Sequence, residues 1–152
     1  MIDLNADLSK VCQKLYGGSY ESKNHDIFPK NIFMIVAGST GCGKTNLIIQ
    51  IIMNNLVYYN NIMIYTTTAY QDVYKLLRDY ITELKNVTTL NKDITFYNPE
   101  DGIVDPSTLD KNQSHIIVFD DVMSENQKVM TDYFCRGRHN NVNAFYLCQS
   151  VH

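Results

Sequence analysis

The sequence is poor in the features that mark secreted, membrane-embedded or DNA-coating proteins. Its four cysteines, Cys12, Cys42, Cys135 and Cys148, form no C-x-x-C pair. That scatter suggests neither a zinc site nor a disulfide framework, and it points to a reducing intracellular compartment. The four histidines, His25, His115, His139 and His152, show no metal-ligand spacing. No apolar run approaches the roughly 18 residues that a membrane span needs, and the amino terminus lacks a signal-peptide pattern. A net charge of -3 and a pI near 5.7 argue against a broad basic surface for duplex DNA, while leaving room for a few basic loops lining a pore. There is no internal repeat and no low-complexity tract. What remains is an ordinary globular composition, 45% hydrophobic and 19% charged over 152 residues, which is one domain with room for a core.

Against that plain background one stretch stands out. Gly38-Ser39-Thr40-Gly41-Cys42-Gly43-Lys44-Thr45 satisfies the phosphate-binding pattern G-x-x-x-x-G-K-[ST] at every fixed position. A β-branched apolar run, Ile32 to Val36, leads in, and an apolar helical run from Asn46 to Leu56 leads out. A strand must deliver such a loop and a helix must leave it, because the free N–H groups and positive dipole end of the helix hold the phosphates. The glycines let backbone amides turn inward with no Cβ in the way. Lys44 is placed to reach the β- and γ-phosphates, and the Thr45 hydroxyl to take one position on Mg²⁺. The stretch reads as a nucleotide site.

Leu4, Leu8, Val11 and Leu15 sit at helical spacing, which predicts a short amphipathic helix before Gly17-Gly18. Polar residues 19 to 30 follow as a linker. Residues 1–30 therefore read as an arm, packed on the domain or contacting an oligomer partner, and residues 31–152 as the domain. From Ile32 onward strand and helix patterns alternate, the signature of a layered α/β fold. Strands are expected at Asn61–Tyr65, Ile94–Tyr97, Ile116–Phe119 and Asn143–Cys148. Helices are expected over 46–56, over a stripe from Val73 to Leu84, and over 125–136. Residues 98–114 read as a loop, and a pore-facing role is assigned to it on length and polarity alone. The chain stops two residues after Ser150, where sheets of this kind continue, so the domain is expected to lack one or more final strands.

Four apolar residues lead into Asp120-Asp121, an acidic pair at the carboxyl end of a buried strand. Asp120 can hold Mg²⁺ opposite Thr45, and Asp121 is placed to polarise a water, although many ATPases use glutamate there. A helix cap or solvated strand end is the plainer reading of the pair. Arg136-Gly137-Arg138-His139 admits three readings: a helix C-terminal cap, a contact to DNA phosphates, or a charge supplied to a neighbouring subunit.

GSTGCGKT, IIVFDD and YFCRGRHNNVNAFYLCQS, in that order, resemble the genome-packaging ATPases of large DNA viruses and related elements, the poxvirus-type packaging ATPase among them, within the FtsK–HerA superfamily. The likeness covers roughly residues 30 to 152. It implies a P-loop NTPase α/β sandwich of the additional-strand class, three layers around a mostly parallel sheet of about four to five strands. In that class the last strand seen here lies between the loop strand and the acidic strand. It implies Gly43, Lys44 and Thr45 as phosphate-loop residues, Asp120 and Asp121 as the acidic motif, Gln149 as the polar group that orients water, and Arg136 or Arg138 as a residue acting on a neighbour. ATP, Mg²⁺, double-stranded DNA, capsid proteins and a homo-oligomeric ring follow from the same likeness, as does a place in the host cytoplasm or viral factory without membrane contact. Two other readings stand beside it. A small P-loop nucleotide or nucleoside kinase would transfer phosphate and ignore DNA. A non-hydrolysing assembly module would bind nucleotide without turnover. A GTPase is disfavoured, because Asn91-Lys92-Asp93 lacks the guanine-reading spacing.

Overall fold

The structure is a computed structural model that describes residues 28–122 and 127–149. The predicted amino-terminal helix therefore lies outside the described residues. Five strands, β1 (Phe33–Ala37), β2 (Asn61–Tyr65), β3 (Asp93–Tyr97), β4 (His115–Asp120) and β5 (Val142–Cys148), form one sheet in the order β1-β5-β4-β2-β3. Every neighbouring pair is parallel, so all five carboxyl ends share one edge. Parallel strands need crossovers; α1 (Lys44–Met53), α2 (Asp72–Val87) and α3 (Gln127–Arg136) supply those after β1, β2 and β4, and residues 98–114 supply the one after β3. The expected layered α/β sheet is thus present, and the final strand lies between the loop strand and the acidic strand as expected.

Side-chain alternation splits the core into two layers. Ile62, Ile64, Ile116, Val118, Phe145 and Leu147 pack on one face with α1 and α2. Met63, Tyr65, Ile117, Phe119, Val142 and Ala144 pack on the other with Met130 and Tyr133 of α3. The central strand β4 is buried along its whole length, which is why His115-Ile116-Ile117-Val118-Phe119 reads as a continuous run rather than an alternation. Each fully buried aliphatic side chain here contributes about 1.5–3 kcal/mol.

Helix α2 follows its stripe, with Tyr74, Leu77, Tyr80, Ile81 and Leu84 buried. Helix α1 departs from expectation at both ends. It starts at Lys44 and stops at Met53 rather than Leu56, because Asn54 Nδ2 donates to Gln50 O at 2.8 Å and Asn55 adopts φ 55°. An Asn pair of this kind satisfies the last carbonyls and turns the chain out of the helix. The apolar wrap is also narrower than the sequence suggests, since Leu47 is exposed. The 98–114 loop is ordered by two 3₁₀ turns that bury Pro99 and Pro106, and Tyr133 Oη donates to Val104 O at 2.6 Å. It straps the α3 face from the carboxyl edge of the sheet back to the amino edge. Among the described residues no helix is long and apolar enough to cross a membrane.

Candidate nucleotide site

The parallel sheet places the loop after β1, the acidic end of β4 and the exit from β2 along one edge. A carboxyl edge at a point where neighbouring connections diverge is where open α/β sheets bind ligands. The loop is anchored by Gly38 N–H donating to Cys148 O at 3.1 Å and Cys42 N–H to Ser39 O at 3.2 Å. Gly41 and Gly43 have φ of 78° and 96°, values that a Cβ would strain. Leu47 N–H donates to Gly43 O at 2.9 Å, the first rung of α1, so the amides of residues 44 to 46 precede the helical ladder. Lys44 Nζ donates to Gly38 O at 2.8 Å and Ser39 O at 3.0 Å, which keeps the ammonium over the loop.

A cleft of about 550 Å³ runs from this loop toward β4 and β2. It is lined by Thr40, Gly41, Gly43, Lys44, Thr45, Thr67, Thr68, Gln71, Asp120 and Asp121, among others. Asp120 is buried and accepts from Tyr74 Oη at 2.5 Å. Burial pushes its carboxyl up from the ordinary value, with the Asp121 charge adding to the rise; the Tyr74 hydrogen bond and the Lys44 charge oppose it. The side chains of Thr45 and Thr66 lie close enough to the Tyr74 hydroxyl to favour charge on it, against the larger effects of burial and Asp120. Burial, reinforced by the Asp120 charge, holds the Tyr74 hydroxyl far above its usual range, so it stays a proton-bearing donor. Asp121 is exposed, sits at φ 52° and donates its N–H to Leu147 O at 3.2 Å.

The remaining predicted residues divide by edge. Ser39 and Cys42 are exposed in the loop, and Gln149 follows β5 at the same edge, exposed and not among the residues lining the cleft. Arg136 and Arg138 lie at the opposite edge. Arg136 ends α3 with Nε 3.7 Å from Asp132 Oδ1, and the carbonyl of Arg138 accepts from Asn31 Nδ2 at 3.2 Å. Gly137 between them backs on Phe33 and Val142, the first residues of β1 and β5. Neither arginine serves this chain's own loop. A smaller cavity of about 340 Å³ also opens at that amino edge, beside Tyr58, Ser114 and Asn143, and no predicted site residue lines it.

Sequence reasoning missed Tyr74, Thr66, Thr67, Thr68 and Gln71. Three consecutive threonines at a strand exit were a usable signal, because β2 neighbours β4 and must open onto the same edge. Tyr74 carried none, since its phase on α2 is that of a core residue.

A family model described as Poxvirus A32 protein matches residues 20–152, which spans most of the chain and every residue of the cleft. No curated protein matches the chain.

Proposed function

The chain belongs to the Poxvirus A32 protein family, a family of viral DNA-packaging ATPases, and on that premise we propose that it is the ATP-hydrolysing subunit of a motor that drives double-stranded DNA into a capsid. One observation supports this above the others. Lys44 and Thr45, delivered by the loop after β1, and the carboxylate of Asp120, delivered two strands away by β4 and bonded by the Tyr74 hydroxyl, line one cleft.

In this reading the amides of residues 41 to 45 and the Lys44 ammonium take the triphosphate of ATP. Oxygen donors from Thr45 and Asp120, with Asp121 alongside, suit a hard cation; Mg²⁺ held there would neutralise phosphate charge. Asp121 accepts the proton of the attacking water, and Gln149 at the end of the intervening strand orients that water. Arg136 or Arg138, remote from its own loop, serves the site of a neighbouring copy in a ring, where it stabilises the charge developing on the γ-phosphate. The host cytoplasm or viral factory, with capsid proteins as partners, is the corresponding setting.

The test is DNA-stimulated ATP hydrolysis by the chain and its Lys44→Ala variant. Turnover in the variant should fall at least about 100-fold, because a preorganised charge on the transferring group is worth that much. Unchanged turnover would overturn the assignment. Phosphate transfer to a nucleoside with no response to DNA would favour a kinase instead.

A further inference from the structure

We infer that Tyr74 is a positioning residue whose hydroxyl orients the cation-binding carboxylate of Asp120; this rests on the ATPase reading above. A tyrosine hydroxyl has one proton to give and an oxygen that accepts. An ionised carboxylate only accepts, so the Tyr74 proton is committed to Asp120 Oδ2, 2.5 Å away. With Oδ2 held by Tyr74, the Asp120 carboxylate is fixed in the cleft that Lys44 and Thr45 also line, the orienting role that groups behind metal ligands play.

The support for Tyr74 is as defined as its contacts. The residue is 1% exposed and its ring meets Phe96 edge-on at 5.4 Å. Arg78 on the same helix stacks over Phe96 at 4.6 Å and donates to Ala69 O at 2.9 Å, which ties the turn before α2 to the helix.

Tyr74→Phe removes the hydroxyl and keeps the ring. The measurement is binding of a fluorescent, non-hydrolysable ATP analogue to the full chain, titrated with Mg²⁺ and repeated in EDTA, with far-UV circular dichroism and Tm recorded for each protein. The half-saturating Mg²⁺ concentration should rise about 10–100-fold in the variant, while affinity in EDTA changes less than about twofold. An unchanged Mg²⁺ requirement overturns the inference, and so does an equal loss with and without metal, which would mark a packing role. If Tyr74→Phe does not fold, Phe96→Leu carries the test: it removes the ring that meets Tyr74 edge-on and should raise the Mg²⁺ requirement a few-fold with affinity in EDTA kept. No rise would overturn the inference. A wild-type chain that binds no analogue in any metal overturns the ATPase reading itself. A wild-type chain that responds to Mg²⁺ beside an identical Tyr74→Phe overturns only the role of Tyr74.

Discussion

The two edges of this sheet use the same kinds of side chain to opposite ends. At the amino edge, even beside the smaller cavity, polar groups bond to one another. Asn143 Oδ1 accepts from Ile32 N–H at 3.0 Å while its Nδ2 donates to His115 O; Asn60 Oδ1 accepts from Ser114 N–H at 2.9 Å; Asn141 Nδ2 donates to Gln113 O at 3.2 Å. At the carboxyl edge the polar groups open into a cleft. Lys44, Thr45, Thr67, Thr68, Asp120 and Asp121 all line it, and burial pushes the Asp120 carboxyl up from its ordinary value. A buried polar group that satisfies its neighbours raises stability, whereas one that faces a cleft has bonding capacity left for a ligand. The contrast separates structural asparagines from candidate catalytic carboxylates without reference to any family.

The sharpest way to break that contrast is at Asn143, which is 3% exposed. Asn143→Ala leaves the Ile32 N–H without its acceptor and takes one donor each from the His115 and Tyr58 carbonyls, the latter still reached by Ser114 Oγ. It should cost about 2–3 kcal/mol in urea denaturation, with ATP turnover per folded molecule unchanged. A loss of turnover at full stability would show that the amino edge is not merely structural.

A smaller effect tests whether the amino edge buries even a charge. Lys92, just before β3, is 1% exposed, donates to Tyr59 O and lies over the Tyr58 and Tyr59 rings. Burial pushes its ammonium down from 10.5 to about 7. Between those values the unfolded chain binds the proton that the folded chain has released, so stability rises with pH. The gain from pH 7 to 8 should be about 1 kcal/mol, read as a shift of the urea midpoint and absent in Lys92→Met. A flat wild-type profile would mean that the charge is accommodated after all.

These residues also show what was legible in the sequence. The loop from Gly38 to Thr45 was readable because its chemistry is local, a fixed spacing within eight residues. Asp120 was readable because a continuous apolar run announces a buried strand, and its end must emerge at the ligand edge. The end of α1 was misplaced by three residues because apolar Leu56 continued the pattern while Asn54-Asn55, the actual stop signal, was passed over. Tyr74 was illegible for a deeper reason. Its stripe position is that of a core residue, and only the packing of α2 against β4 brings its hydroxyl to Asp120. The same holds for Asn143, whose partners lie 28 and 111 residues away. Arg136 and Arg138 were visible as a charged motif, but the edge they occupy depends on the direction of α3.

The smallest stability effect lies at the functional edge and should have the opposite sign. Of the four non-glycine residues with positive φ among the described residues, three are asparagines, a side chain that tolerates this conformation well, and the fourth is Asp121 at 52°. Its charge also raises the carboxyl of Asp120 next to it. Asp121→Gly removes both the strain and the repulsion, offset in part by the greater freedom of glycine in the unfolded chain. The variant should be about 0.5–1 kcal/mol more stable in urea, yet hydrolyse ATP at least about 100-fold more slowly, the loss expected for a general base. Stability and activity moving in opposite directions at Asp121, when Asn143→Ala moves stability alone, is the pattern that strain retained for function produces. A variant that is both less stable and fully active would instead make Asp121 an ordinary turn residue, and the base would have to be sought elsewhere on the same edge.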